Sequence, residues 1–181
     1  MSQTHLELTR DPARTFPQVT DADGVRSARI WHCKYRSLAP LAELQNLEEL
    51  VIATFPDESF DFLAKLANLR YLSIMHLPKA SDLAPLASLT RLSSLSLSTL
   101  PGWDGSGKRT IVESLEPLAD LPELAHLELM GVRPQDDSLR PLERCKGLRT
   151  ARIVHYPRAE TKRFFAETSV LDGFNPAPSF G

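Results

Sequence analysis

The chain is predicted to be an α/β solenoid, a stack of short coils that each add one strand to a parallel sheet. Three observations predict it. Six strand-like cores share one pattern: Val25-x-x-Ala28-x-Ile30, Leu47-x-x-Leu50-x-Ile52, Leu69-x-x-Leu72-x-Ile74, Leu92-x-x-Leu95-x-Leu97, Leu124-x-x-Leu127-x-Leu129 and Leu148-x-x-Ala151-x-Ile153. Their middle positions are spaced by 22, 22, 23, 32 and 24 residues. Every core after the first is also preceded by a turn of one make-up. These turns are Ser37-Leu38-Ala39-Pro40-Leu41, Ser59-Phe60-Asp61-Phe62-Leu63, Asp82-Leu83-Ala84-Pro85-Leu86, Ser114-Leu115-Glu116-Pro117-Leu118 and Ser138-Leu139-Arg140-Pro141-Leu142. A coil this short cannot bury its apolar face alone, so neighbouring coils must stack to bury it.

Each part of the turn has a reason. The leading Ser or Asp can accept a backbone N–H and start a helical turn. The proline sits in the first turn, where its missing N–H breaks no intrahelical bond. Leu44, Leu66, Leu89, Leu121 and Cys145 follow three residues after the closing leucine and share its inward stripe. The reading is a short helix or 3₁₀ turn on the convex side of every coil, with the parallel sheet on the concave side.

These residues resemble leucine-rich repeat proteins, and in particular the short-repeat class of bacterial internalins, over about 24–157. The resemblance implies a right-handed superhelix that works by presenting a surface to other proteins. One column departs from the family. Where the family usually places an asparagine after the strand, this chain has Cys33, Phe55, Leu77, Leu100, Val132 and Tyr156. Pro56, Pro78, Pro101 and Pro157 follow directly. Apolar packing and fixed proline dihedrals are therefore expected to hold that loop, and no residue role is carried over from the family.

The rest of the chain is read as caps. Residues 1–23 form an N-terminal cap, in which His5-Leu6-Glu7-Leu8-Thr9 alternates as an extra edge strand would. Residues 24–157 hold the six repeats, with an insertion at 102–113. Residues 158–181 supply a capping helix over Ala159–Thr168, with Phe164 and Phe165 covering the last coil, and then a tail over Asp172–Gly181 expected to be loose.

Composition fits one domain: 181 residues, 42% apolar, net charge −2. That charge gives no electrostatic reason to expect nucleic acid or an anionic membrane. No stretch approaches the roughly 18 apolar residues that span a bilayer. Met1–Arg10 lacks the apolar run of a secretory signal, and a cytoplasmic location is expected. Cys33 and Cys145 stand in apolar columns of the first and last coils, roughly 24 Å apart at the strand spacing, too far for a disulfide. Both are read as reduced core thiols.

Alternation along each strand sends the remaining side chains to the concave face. The first column is Ser27, Glu49, Tyr71, Ser94, His126 and Thr150. The second is Arg29, Val51, Ser73, Ser96, Glu128 and Arg152, and the third is Trp31, Ala53, Met75, Ser98, Met130 and Val154. Trp31, Tyr71, Met75 and Met130 are apolar anchors among the charges Arg29, Glu49, Glu128 and Arg152. Such residue types are enriched at protein interfaces and hot spots. The serines Ser93, Ser94, Ser96 and Ser98 are read either as a dent for a bulky partner side chain or as neutral filler.

The insertion carries Trp103 between glycines, either an exposed anchor beside the binding face or a ring folded back on its own coil. Gly102-x-x-x-x-Gly107-Lys108 imitates a phosphate loop. Arg109 stands where Ser or Thr should meet magnesium, however, and no long helix follows. His32, His76 and His155 share the column just past the strand but lie two and three coils apart, roughly 10 and 14 Å, too far for one metal. No catalytic, cofactor or metal site is expected.

The chain is thus read as a non-enzymatic module, monomeric when unbound, that binds a protein partner. It would act as an inhibitor, adaptor or immunity-type protein through Arg29, Trp31, Glu49, Tyr71, Met75, Trp103, His126, Glu128, Met130 and Arg152. The alternative is a self-associating structural protein.

Overall fold

The computed structural model describes residues 4–99 and 108–180. One strand per coil builds an all-parallel sheet: β1 (His5–Thr9), β2 (Ser27–Trp31), β3 (Glu49–Ala53), β4 (Tyr71–Met75) and β5 (Ser94–Ser98). Two short strands, β6 (Thr110–Val112) and β8 (Val132–Pro134), pair with each other apart from it. The main sheet continues through β7 (His126–Met130) and β9 (Thr150–Val154) and ends at β10 (Leu171–Asp172). Adjacent strands pair without a register slip, so Ala28, Leu50, Leu72, Leu95, Leu127 and Ala151 form one inward row. All six are fully buried.

The convex side is made of 3₁₀ turns at Ala39–Glu43, Leu63–Lys65, Ala84–Ser88 and Arg140–Arg144, and of a single helical turn, α1 (Glu116–Ala119). The leading column starts each of them in the same way. Ser37, Ser59, Ser114 and Ser138 accept through Oγ, and Asp82 through Oδ1, the N–H two residues on. Carboxylates from the following coil add a second acceptor at two places. Asp57 takes the Leu38 N–H at 2.8 Å, and Glu160 takes that of Leu139 at 2.8 Å.

The residue just past six of the strands, β1–β4, β7 and β9, has a left-handed backbone: Arg10 (φ 52°), His32 (53°), Thr54 (75°), His76 (61°), Gly131 (70°) and His155 (65°). Its N–H still continues the sheet ladder, as in His32 to Ala53 and Thr54 to Met75. The reversed φ then turns the next side chain into the core, where Phe55, Leu77 and Val132 are fully buried. Histidine is among the few non-glycine residues that enter this region readily, which accounts for three histidines in one column. Phe55 lies 5.0 Å from Phe60 and 5.9 Å from Phe62, ring centre to ring centre, and the Tyr156 hydroxyl donates to the Val132 carbonyl at 2.8 Å. Asparagine is nonetheless used between loops on the other side of the strand. Asn46 donates to the Asp23 carbonyl and Asn68 to that of Gln45.

Two parts of the chain differ from expectation. The insertion is not loop throughout, because its second half forms β6. Its β-branched Thr-Ile-Val run suits a strand, and Val112 is buried while Ile111 stays 43% exposed. The tail is not loose either. After α2 (Arg158–Glu167), Leu171 and Asp172 pair with β9. From there Phe174, Pro176, Pro178 and Phe180 are half-buried, while Asn175, Ala177 and Ser179 are exposed. Alternation of this kind marks an extended segment lying against a surface.

The ends are closed as a solenoid requires. Phe16 and Tyr35 meet edge to face at 5.2 Å over the first coil, and the Tyr35 hydroxyl donates to Asp11 at 2.6 Å. Burial, and after it the Asp11 bond, push that phenol well above its ordinary range. At the other end Phe164 is fully buried, and Arg163 forks onto Glu160 at 2.7 and 2.8 Å and onto Glu143 at 2.6 Å. No helix among the described residues is long and apolar enough to cross a membrane.

Candidate functional site

The three outward columns lie in register on the concave face. Tyr71 stands between Glu49 and Ser94, and His126 between Ser94 and Thr150. Strand β1 lengthens each column by one residue, adding His5, Glu7 and Thr9. The His5 ring reaches the Ser27 hydroxyl at 2.8 Å.

The face divides by chemistry. On β2–β4 it is aromatic. The Arg29 guanidinium sits 4.5 Å from the centre of the Trp31 ring, with Glu7 3.9 Å from its Nε. Tyr71 is half-buried, and burial together with the nearby Glu128 charge raises its phenol above the ordinary value. Met75 completes this half, paired with the fully buried Ala53. On β7 and β9 the face is polar. Glu128 accepts the Ser96 hydroxyl at 2.6 Å and lies 3.7 Å from Arg152, which is half exposed. His126 is 2.9 Å from the Thr150 hydroxyl, and Met130 is half-buried beside Val154.

The serine coil offers no open dent at its centre. Ser94 and Ser96 are buried, and the Glu128 carboxylate occupies the space over Ser96. Trp103 lies outside the described residues, so the described site is the sheet alone.

The sequence reading missed the tail. Pro178 and Phe180, with Arg29, Trp31, Val51, Tyr71 and Ser73, line a pocket of about 180 Å³ on the aromatic half. The Ser179 N–H and hydroxyl both donate to Glu49 Oε2 at 2.8 Å, and the Phe180 ring lies 4.3 Å from that of His5. The available signal was the spacing of Phe174, Pro176, Pro178 and Phe180 at every second position.

Among the described residues no group of three or more His, Cys, Asp or Glu side chains is placed to hold a metal ion. Cys145 is buried, which raises its thiol above the ordinary value, and Cys33 is partly buried with its thiol 3.3 Å from the Leu8 carbonyl.

A register-true parallel sheet with one strand per coil, backed by 3₁₀ turns, defines a leucine-rich repeat solenoid, similar in fold to internalins. Two solved structures carry that likeness. Internalin C2 of Listeria monocytogenes is 26% identical, with a TM-score of 0.55, over 73% of this chain and 53% of that one. Another internalin of the same organism, inlF, is 19% identical, with a TM-score of 0.59, over 83% of this chain and 47% of that one. The chain thus spans about half the length of either. No family model matches the sequence, and no curated protein matches it.

Proposed function

We propose that the chain is a non-enzymatic protein-binding module. In this reading it engages a protein partner through the concave sheet, with the insertion at 102–113 and its Trp103 alongside, and blocks that partner as an inhibitor or immunity-type protein inside the cell. The observation that carries the reading is the density of anchor types on one face: Trp31, Tyr71, Met75 and Met130 project from three strands of one sheet, β2, β4 and β7, ringed by Arg29, Glu49, Glu128 and Arg152. Aromatic, methionine and arginine side chains concentrate at interfaces, and tryptophan, tyrosine and arginine are the types enriched among hot spots. The likeness to internalins supports an interaction module in general terms.

The test is capture from lysate by the wild-type chain beside a variant with Trp31, Tyr71 and Met130 all changed to Ala. The reading expects a protein retained by the wild type and lost by a variant whose circular dichroism is unchanged. Equal retention by both would remove the concave face from the account.

A further inference from the structure

We propose that residues 174–180 are an intramolecular stand-in for the partner's binding segment, which would make that segment an extended, proline-bearing stretch in which a hydroxyl residue precedes an aromatic. The inference rests on the concave-face reading above and names the chemistry that face selects.

The path of the tail is the first support. It leaves the sheet at Asp172, against β9, and brings Phe180 to His5 on β1. Asp172 itself lies on β10, seven spacings from β1 in the sheet order, roughly 34 Å along a flat sheet, of which the Phe180 and His5 side chains span the last part. The eight residues from Asp172 to Phe180 reach roughly 26–29 Å when fully extended. The segment therefore runs nearly taut across the strands, beneath which lie the columns that were expected to meet a partner.

Its composition suits that path. A segment crossing the strands cannot join their hydrogen-bond ladder, so each backbone N–H it carries over the sheet needs another partner. Pro176 and Pro178 carry none, and proline favours the extended left-handed helix that needs no internal bonds. The Ser179 N–H does need one, and Glu49 takes it together with the Ser179 hydroxyl. The aromatic ring is held between His5 on one side and the Arg29–Trp31–Tyr71 pocket on the other. Proline-bearing extended segments are commonly read by grooves lined with aromatic residues.

A partner offering the same three features would have to displace the tail. Because the tail is tethered, it competes at an effective concentration of about millimolar. The free chain would thus hold its aromatic half closed until a better-fitting segment arrives.

The probe is a synthetic peptide of residues 174–181, titrated by calorimetry into the full chain and into a full-length variant carrying Ser179→Ala and Phe180→Ala. The expected result is binding to the variant at least about tenfold tighter than to the wild type. Adding Glu49→Ala or Trp31→Ala to that variant should abolish the binding. Release of the tail is read separately by acrylamide quenching of Trp31 in a Trp103→Phe background, which should increase in the tail variant.

Equal affinity for both proteins, absence of binding to the tail variant at millimolar peptide, or unchanged quenching would each overturn the proposal. So would a wild-type dimer formed by exchanged tails, detected by light scattering, since the occupant would then be a second copy. If the peptide fails while the Trp31, Tyr71 and Met130 substitutions still abolish partner capture, the tail assignment falls and the concave-face function stands.

Discussion

Leu50 and Val51 are consecutive residues of one strand, yet they belong to different regions of the molecule. Leu50 lies in the inward row that runs Ala28, Leu50, Leu72, Leu95, Leu127 and Ala151, all fully buried. Val51 lies in an outward row that runs Arg29, Val51, Ser73, Ser96, Glu128 and Arg152. The inward row is uniform because stacking leaves one volume to fill in every coil. The outward row varies because neither stacking nor the ladder depends on it. Strand alternation thus separates the residues that make the solenoid from those that give it a surface.

The largest expected break in the inward side is at Phe55, which packs with Phe60 and Phe62 and takes the place of the family's loop asparagine. Phe55→Ala should cost about 3–5 kcal/mol in denaturant unfolding. Gly131→Ala comes next. An added Cβ would stand 2.4 Å from Thr99 Cγ2 at a φ of 70°, and the loss should be about 2 kcal/mol or more, from the steric conflict and the left-handed backbone together.

The C-terminal cap sharpens the comparison through pH. The Arg163 fork holds the Glu160 carboxyl at about 2, below its usual 4.5, with the Leu139 N–H assisting. A lowered folded-state value contributes stability above the usual carboxylate range, and that contribution is lost as pH falls from 4.5 towards 2. Melting temperatures measured between pH 5 and pH 2.5 should fall, and Glu160→Gln should flatten the part of the fall that this residue supplies.

The smallest effect concerns an outward residue that is not free. Ser96 is buried and donates to Glu128 at 2.6 Å, so Ser96→Ala should cost about 1 kcal/mol. A loss near zero would mean that Glu128 finds an equivalent partner, and Arg152, 3.7 Å away, is the nearest candidate.

The inward side was legible in the sequence because period, leucine spacing and turn chemistry all state the same constraint. The outward columns were legible in membership and register, since both follow from alternation once the strands are placed. What they pack against was not. Local pattern assigns Phe174–Phe180 no place, because its partners, Glu49 and His5, lie more than 100 residues away. The histidine column was visible too, but its cause is the left-handed turn at His32, His76 and His155, and that appears only when the backbone is traced. Asn46 and Asn68 were missed for a related reason. They bond neighbouring loops from before the strand, whereas the family pattern directs attention to the column after it.

The division between the two faces is tested most directly by unfolding Leu50→Ala and Val51→Ala in denaturant beside the wild type. The account predicts a loss of about 2–5 kcal/mol for Leu50→Ala and no more than about 1 kcal/mol for Val51→Ala. Equal losses would contradict it, since the outward row would then be as much a part of the core as the inward one.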